Sequence, residues 1–290
     1  MKPKNGLTSF TLSDVAATSL VTLYCRAIES QTQNPILSDP KAVELVETLN
    51  QALSGSHDKL HRKLVSGKLE KILVMSIAIR AKKYDEYVRA FLARTPNAVV
   101  VNIGCGLDTR FWRIDNGLVH FYDLDLPEVI EVKKRFFQET ERYHFISSSV
   151  LDDDWITSLR QHEQDPFLFV AEGVFMYLHE EDVKSLVLTL QSHFPGSELV
   201  CEVFNKLWLS KLLKPLVNAK MQKRLGIGKE AIFHFGIGDS RDMENWNSGI
   251  QLLDDWSYFD AYEKKLGFLR MFRHVRLFRN TLWTVHYRLN

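Results

Sequence analysis

The chain has 290 residues, with 37 Lys and Arg against 36 Asp and Glu, a formal net charge of +1. That balance argues against nucleic-acid binding through bulk charge, which takes a basic excess. The 45% hydrophobic content, with 18 Phe, argues against disorder and supplies a large core, in one large domain or two small ones.

No segment approaches the roughly 20 apolar residues that span a bilayer. The longest run, 72–79, is interrupted by Ser76. Lys2 and Lys4 are followed by no apolar stretch, which argues against a signal peptide. Cys25, Cys105 and Cys201 are scattered and form no CxxC pair, so a reducing, cytoplasmic setting is expected. No membrane and no nucleic-acid partner is expected.

Residues 1–95 read as a helical cap. Apolar spacing predicts helices over 11–29 and 83–93, and Pro40 suits the first turn of another. At Asn97 the texture changes. The β-branched run 98–103 reads as a buried parallel strand, and further strands are predicted at 119–123, 144–148, 167–171 and 199–204. Helical stretches at 128–139, 155–162 and 181–193 separate them. The alternation implies an α/β core over 96–204, a doubly wound, mostly parallel sheet. Residues 205–260 break the rhythm, with glycines at 226, 228, 236 and 238, and read as an inserted lid over the sheet's C-terminal edge. Two strands, 271–278 and 281–288, are expected to close the chain (261–290) as an antiparallel hairpin.

The first strand runs into Gly104-Cys105-Gly106-Leu107-Asp108-Thr109-Arg110. Glycines let a backbone turn sharply and approach a ligand closely. Thr109 occupies the third glycine position of a dinucleotide fingerprint, which disfavours NAD, and no P-loop lysine follows. Two glycines after a strand also suit a plain strand-to-helix turn. Cys105 reads as a small filler. Asp123 and Asp125 lie 19 and 21 residues beyond Gly104, where an acid can accept from both hydroxyls of a ribose. Asp125 would equally suit a helix start before Pro127. Glu172 ends an apolar strand, where a lone carboxylate is costly unless partnered.

Together these residues resemble the leucine carboxyl methyltransferase family, which uses S-adenosylmethionine and includes protein-phosphatase carboxyl methyltransferases and polyketide O-methyltransferases. The motifs are Gly104-Cys105-Gly106-Leu107-Asp108-Thr109-Arg110, Asp125-Leu126-Pro127 and Ala171-Glu172-Gly173-Val174-Phe175-Met176-Tyr177-Leu178. The likeness extends over about 75–205. It implies a class I methyltransferase-like fold and a set of cofactor contacts. Arg80 would meet the carboxylate of the methionine part, Gly104 and Gly106 would give the loop contact, and Asp125, with Asp123 nearby, would hold the ribose. Val150 and Leu151 would flank the adenine, and Glu172 would lie near the amino group.

The expected activity is O-methylation of a hydroxyl or carboxyl oxygen on a small molecule. Methylation of a protein C-terminus, or a cofactor-binding module without catalysis, are alternatives. Tyr177, His179 and His234 are candidates for the acceptor pocket, with no base assigned. Phe233-His234-Phe235-Gly236 is expected to face the substrate, and Phe233, Phe235, Trp246 and Trp256 to form an apolar wall. His57 and His61 stand in a polar run, and no metal site is expected.

Overall fold

The computed structural model describes residues 14–225 and 232–290. The terminus with Lys2 and Lys4, the first residues of the expected helix over 11–29, Gly226 and Gly228 lie outside them. Four helices open the described chain: α1 (Asp14–Ser30), α2 (Pro40–Leu53), α3 (Lys59–Val65) and α4 (Lys71–Arg94). Pro40 does open α2, and the Asp39 carboxylate caps it by accepting from Ala42 N–H at 3.0 Å. The apolar run 72–79 and the expected helix over 83–93 are one 24-residue helix, α4.

The core then alternates: β1 (Val99–Ile103), α5 (Arg110–Ile114), β2 (His120–Asp125), α6 (Pro127–Lys133), β3 (Tyr143–Ser147), α7 (Asp154–Thr157), β4 (Phe167–Ala171), α8 (Glu180–His193) and β5 (Ser197–Phe204). After it come α9 (Lys214–Leu225), β6 (Ile250–Ser257), α10 (Arg276–Arg279) and β7 (Leu282–Leu289). The helix expected over 128–139 stops at Lys133. Beyond it, Phe137 turns back to stack on Trp112, with ring centroids 4.4 Å apart. The helix expected over 155–162 divides into α7 and a 3-10 turn at Arg160–His162.

Among the described residues seven strands form one sheet, in the order β3-β2-β1-β4-β5-β7-β6. The five core strands are parallel, and β7 runs antiparallel between β5 and β6. This is the class I methyltransferase-like fold with C-terminal antiparallel strands. The pair is not the expected hairpin, however. Residues 271–278 lie in 3-10 and α-helical turns, because both edges of β7 are already taken by β5 and β6. The true partner, β6, lay inside the expected lid. Its Asp254-Asp255 pair hides the strand pattern, and the register shifts at a bulge between Leu252 and Asp254.

Strand alternation feeds two cores. Val100, Leu168 and Val200 point to one face, where they meet Leu23, Tyr24, Tyr84 and Val88 of α1 and α4. Val99, Val101, Phe169, Leu199 and Cys201 point to the other, against Val183, Val187 and Leu190 of α8. Strand order reverses between β1 and β4, so the chain diverges there and leaves a crevice at the strands' C-terminal ends.

Candidate active site

A cavity of about 200 Å³ occupies that crevice. Arg80, Gly104, Gly106, Asp125, Val150, Leu151, Glu172 and Tyr177 all line it, so eight candidate residues converge from five segments of the chain. The glycine loop makes the floor. Gly104 and Gly106 have φ of +62° and +50°, values that L side chains rarely adopt. A Cβ on Gly104 would sit 2.4 Å from Val174 Cγ2, and one on Gly106 2.7 Å from Ser19 Cβ. The loop is thus pressed between α1 and the segment after β4. Thr109, the residue that argued against NAD, is fully buried, and its hydroxyl donates to Asp39 at 2.6 Å, tying the loop to the start of α2.

The two candidate acids of β2 part company. Asp125 ends the strand at the cavity and accepts from the N–H groups of Gly106 (2.6 Å) and Leu126 (2.8 Å). Burial nevertheless raises its carboxyl to about 6, against those two donors. Asp123 lies one pair deeper, away from the cavity lining. It accepts from Asn102 Nδ2 (2.9 Å) and the Tyr143 hydroxyl (2.5 Å), and pairs with the fully buried Lys133 ammonium at 2.7 Å. Its place in the ribose site is therefore corrected to a structural one.

Arg80 and Glu172 face the cavity and also each other. Arg80 Nε donates to Glu172 at 2.7 Å, and its Nη1 donates to Glu202 at 2.7 Å. Arg110 Nη2 binds the other Glu172 oxygen. Burial opposes ionisation of Glu172, but the Arg80 and Arg110 guanidiniums outweigh it and hold the carboxyl below its usual range. The network continues inward. Arg110 pairs with Asp85 (3.0 Å) and Asp108 (2.9 Å), and Arg113 with Asp85 (2.7 Å), Asp108 (3.2 Å) and Asp39 (2.8 Å). Arg26 also pairs with Asp39, at 3.1 Å. Among the described residues this cluster joins Arg26, Arg80, Arg110 and Arg113 to Asp39, Asp85, Asp108, Glu172 and Glu202, one carboxylate more than guanidiniums. Tyr258 donates to the remaining Glu202 oxygen, and burial raises the Glu202 carboxyl above its ordinary value despite Arg80.

The acceptor side departs further from expectation. Tyr177 does line the cavity, and burial pushes its phenol up to about 12, so it stays protonated and can donate. Phe233 packs behind it with centroids 5.2 Å apart, outside the lining, and its N–H donates to Asn218. His234 packs against His179 with the rings tilted by 42° and centroids 4.4 Å apart, beside Lys214, and burial lowers its pKa. Phe235 is fully buried in the α8-side core near Trp246. Trp256 belongs to a third cluster with Ile79 and Met75. The expected wall of Phe233, Phe235, Trp246 and Trp256 is therefore divided among three packing groups.

The residues not foreseen come mainly from α1: Thr18, Ser19, Thr22 and Arg26 line the cavity, with Asn102 and Asp108 below. Ser19 lines the cavity, and its Oγ is buried with no hydrogen-bond partner among the described residues. Small polar residues in an otherwise regular helix gave no motif by which to find them.

The site thus sets an acid that can accept from paired hydroxyls, apolar side chains at Val150 and Leu151, and an ionised Glu172 held by two guanidiniums within one crevice. Comparison with known proteins agrees. The model of the leucine carboxyl methyltransferase family matches residues 19–191. The chain is 31% identical over 251 residues to the tetracenomycin polyketide synthesis O-methyltransferase TcmP of Streptomyces glaucescens, covering 86% of this chain and 85% of that one. It is 27% identical over 277 residues to the S-adenosyl-L-methionine-dependent methyltransferase dpfgK of Gibberella zeae, covering 89% of each. A crystal structure of a DUF574 family protein from Streptomyces avermitilis shares the fold, with a TM-score of 0.57 at 12% identity over 83% of this chain and 96% of that one. The chain belongs to the leucine carboxyl methyltransferase family and is an S-adenosylmethionine-dependent methyltransferase.

Proposed function

We propose that this methyltransferase acts on an oxygen, hydroxyl or carboxyl, of a small-molecule acceptor. The observation that carries the cofactor's placement is Asp125, held by Gly106 N–H at the end of β2, where it lines the cavity. The glycine cradle, the orphan Ser19 hydroxyl and the ionised Glu172 fit a group that bears hydroxyls and positive charge. Asp125 would hold the ribose, Val150 and Leu151 the adenine, and Glu172 the ammonium. Arg80 keeps Glu172 ionised, and it would reach the methionine carboxylate with donors that Glu172 and Glu202 do not use. The cofactor supplies a methyl group on a sulfonium, a strong electrophile.

The protein's own part is alignment and exclusion of water. Tyr177 offers a hydroxyl to orient an acceptor oxygen beside the apolar Val174 and Leu178. The likeness to a polyketide O-methyltransferase over 86% of this chain supports oxygen, and a small molecule, as the target.

Thermal shift with S-adenosylhomocysteine and with NAD tests the cofactor site. Stabilisation by the former, lost in Asp125→Ala, is expected, and a response to NAD alone overturns it. Transfer of a labelled methyl to small phenols and carboxylic acids then tests the acceptor. A base-labile product marks an ester and a stable one an ether. Labelling confined to protein termini overturns the small-molecule reading.

A further inference from the structure

We propose that the face formed by residues 205–220 and 264–279 docks this protein on anionic lipid bilayers. The inference is independent of the acceptor. Residues 205–220 contain four lysines, residues 264–279 contain six Lys or Arg, and neither segment has an Asp or Glu. With the whole chain at +1, the remainder carries a net negative charge, so near-neutrality conceals a strong asymmetry. The two segments share a root: Asn205 N–H donates to Thr281 O at 3.1 Å, and its Nδ2 to Asn280 O at 2.9 Å.

The pattern within 264–279 follows from its helix type. Lys264–His274 is 3-10 in character with a non-helical kink at Gly267, and beyond the kink residues three apart fall on one face. Leu266, Leu269 and Phe272 pack inward or sit half-buried. Phe268 and Met271 project outward, 76% and 72% exposed, while Arg270 and Arg273 form the stripe beside them. On the other segment Leu212 is 87% exposed, between the exposed Lys211 and the half-buried Lys214. Some cations meet carboxylates of neighbouring segments: Lys265 meets Glu29, Arg276 meets Asp239, and Arg279 meets Asp255 and Asp260. Lys206, Lys211, Lys220, Lys264 and Arg273 are exposed. Arg270 Nε is shielded without an acceptor among the described residues.

Apolar side chains that protrude singly among long cationic ones suit the headgroup boundary, where the apolar tips enter the acyl region and the cations meet phosphates. A second copy of this chain is disfavoured, since two such faces would repel. A folded acidic partner would have to receive protruding side chains from two separate segments, whereas a fluid lipid surface accommodates them without a matching shape.

Sedimentation of the full-length protein with vesicles tests this. Vesicles of phosphatidylcholine mixed with phosphatidylglycerol should carry the protein down, phosphatidylcholine alone should not, and added salt should release it. Phe268→Ser/Met271→Ser and, separately, Lys211→Glu/Arg273→Glu should each lower partition on the order of ten-fold. Their melting temperature and S-adenosylhomocysteine shift should stay unchanged, as all four side chains are exposed. Partition indifferent to both double variants, or absent from anionic vesicles, overturns the proposal. Saturable binding to polyglutamate without vesicle binding would assign the face to an acidic protein instead.

Discussion

The glycine-loop end and the basic face manage charge in opposite ways. At the first, Asp85, Asp39 and Arg110 are essentially inaccessible, and each is tied to partners drawn from distant parts of the chain. At the second, cations stand in solvent with apolar side chains between them. Burial makes the first network costly to disturb, because a charge stripped of its partner has no water to fall back on. The second is screened, so its charges contribute little to stability and remain available for an outside partner. One region holds the candidate cofactor site in shape, and the other is held in shape by the rest of the fold.

The largest expected effect comes from breaking the buried network. Arg110→Ala leaves Asp85 with one guanidinium and Glu172 with another, and should destabilise the protein by about 3–5 kcal/mol in urea unfolding. A loss under about 1 kcal/mol would mean that the network is hydrated and the contrast between the regions is weaker than drawn.

Next come the two acids of β2, which share a face and differ by one strand pair. Asp125→Ala should weaken S-adenosylhomocysteine binding by about ten- to a hundred-fold in calorimetry, the loss of charge-assisted bonds to paired hydroxyls. Asp123→Asn strands the Lys133 ammonium, so it should lower stability by about 2–4 kcal/mol with the affinity of the folded protein unchanged. Equal affinity losses in both variants would return Asp123 to the site.

Asp125 also predicts a pH dependence. Its folded-state carboxyl lies near 6, above the ordinary 3.8, so the unliganded fold binds that proton more tightly than the unfolded chain. Its contribution to stability is therefore greatest below the ordinary value and is lost as pH rises through about 6. A cofactor whose hydroxyls donate to the ionised form favours the opposite direction. Affinity should rise with pH up to about 6, by at most about ten-fold per unit, and then level off. Asp125→Asn should remove the slope, and a wild-type profile flat from pH 5 to pH 7 would count against Asp125 as the ribose acid.

These regions also differ in how much of them the sequence disclosed. The loop, Asp125, Val150, Leu151 and Glu172 lie at strand ends, where a short apolar run fixes the backbone and the next residue must face the crevice. Arg80 could be placed at the cavity by resemblance, but not its partners, since Glu172 and Glu202 are 92 and 122 residues away in sequence. Asp123 was misplaced because spacing cannot distinguish a strand's last residue from one two positions earlier. Strand β6 was missed because Asp254 and Asp255 mask its pattern. Residues 271–278, expected as a strand, lie in 3-10 and α-helical turns. In 205–279 some aromatic residues pack and others stand exposed, and no single period marks which side is inside.

The smallest expected effect is the most pointed test of the outer face. Leu212 is 87% exposed, so replacing it by Ser removes no buried area and leaves no cavity. Leu212→Ser should change unfolding free energy by no more than about 0.5 kcal/mol, the range for surface sites away from special features. A truncation of the same size in the core has a different outcome: Leu190, fully buried under the sheet, should cost about 2–5 kcal/mol as Leu190→Ala. A loss near that size at Leu212, measured on dilute protein, would mean that the side chain is covered within the molecule, and the basic face would then be packing surface rather than a surface offered to lipid. A loss that grows with protein concentration would instead mark a contact between copies. A neutral Leu212→Ser with weakened partition onto anionic vesicles would assign its exposure to binding.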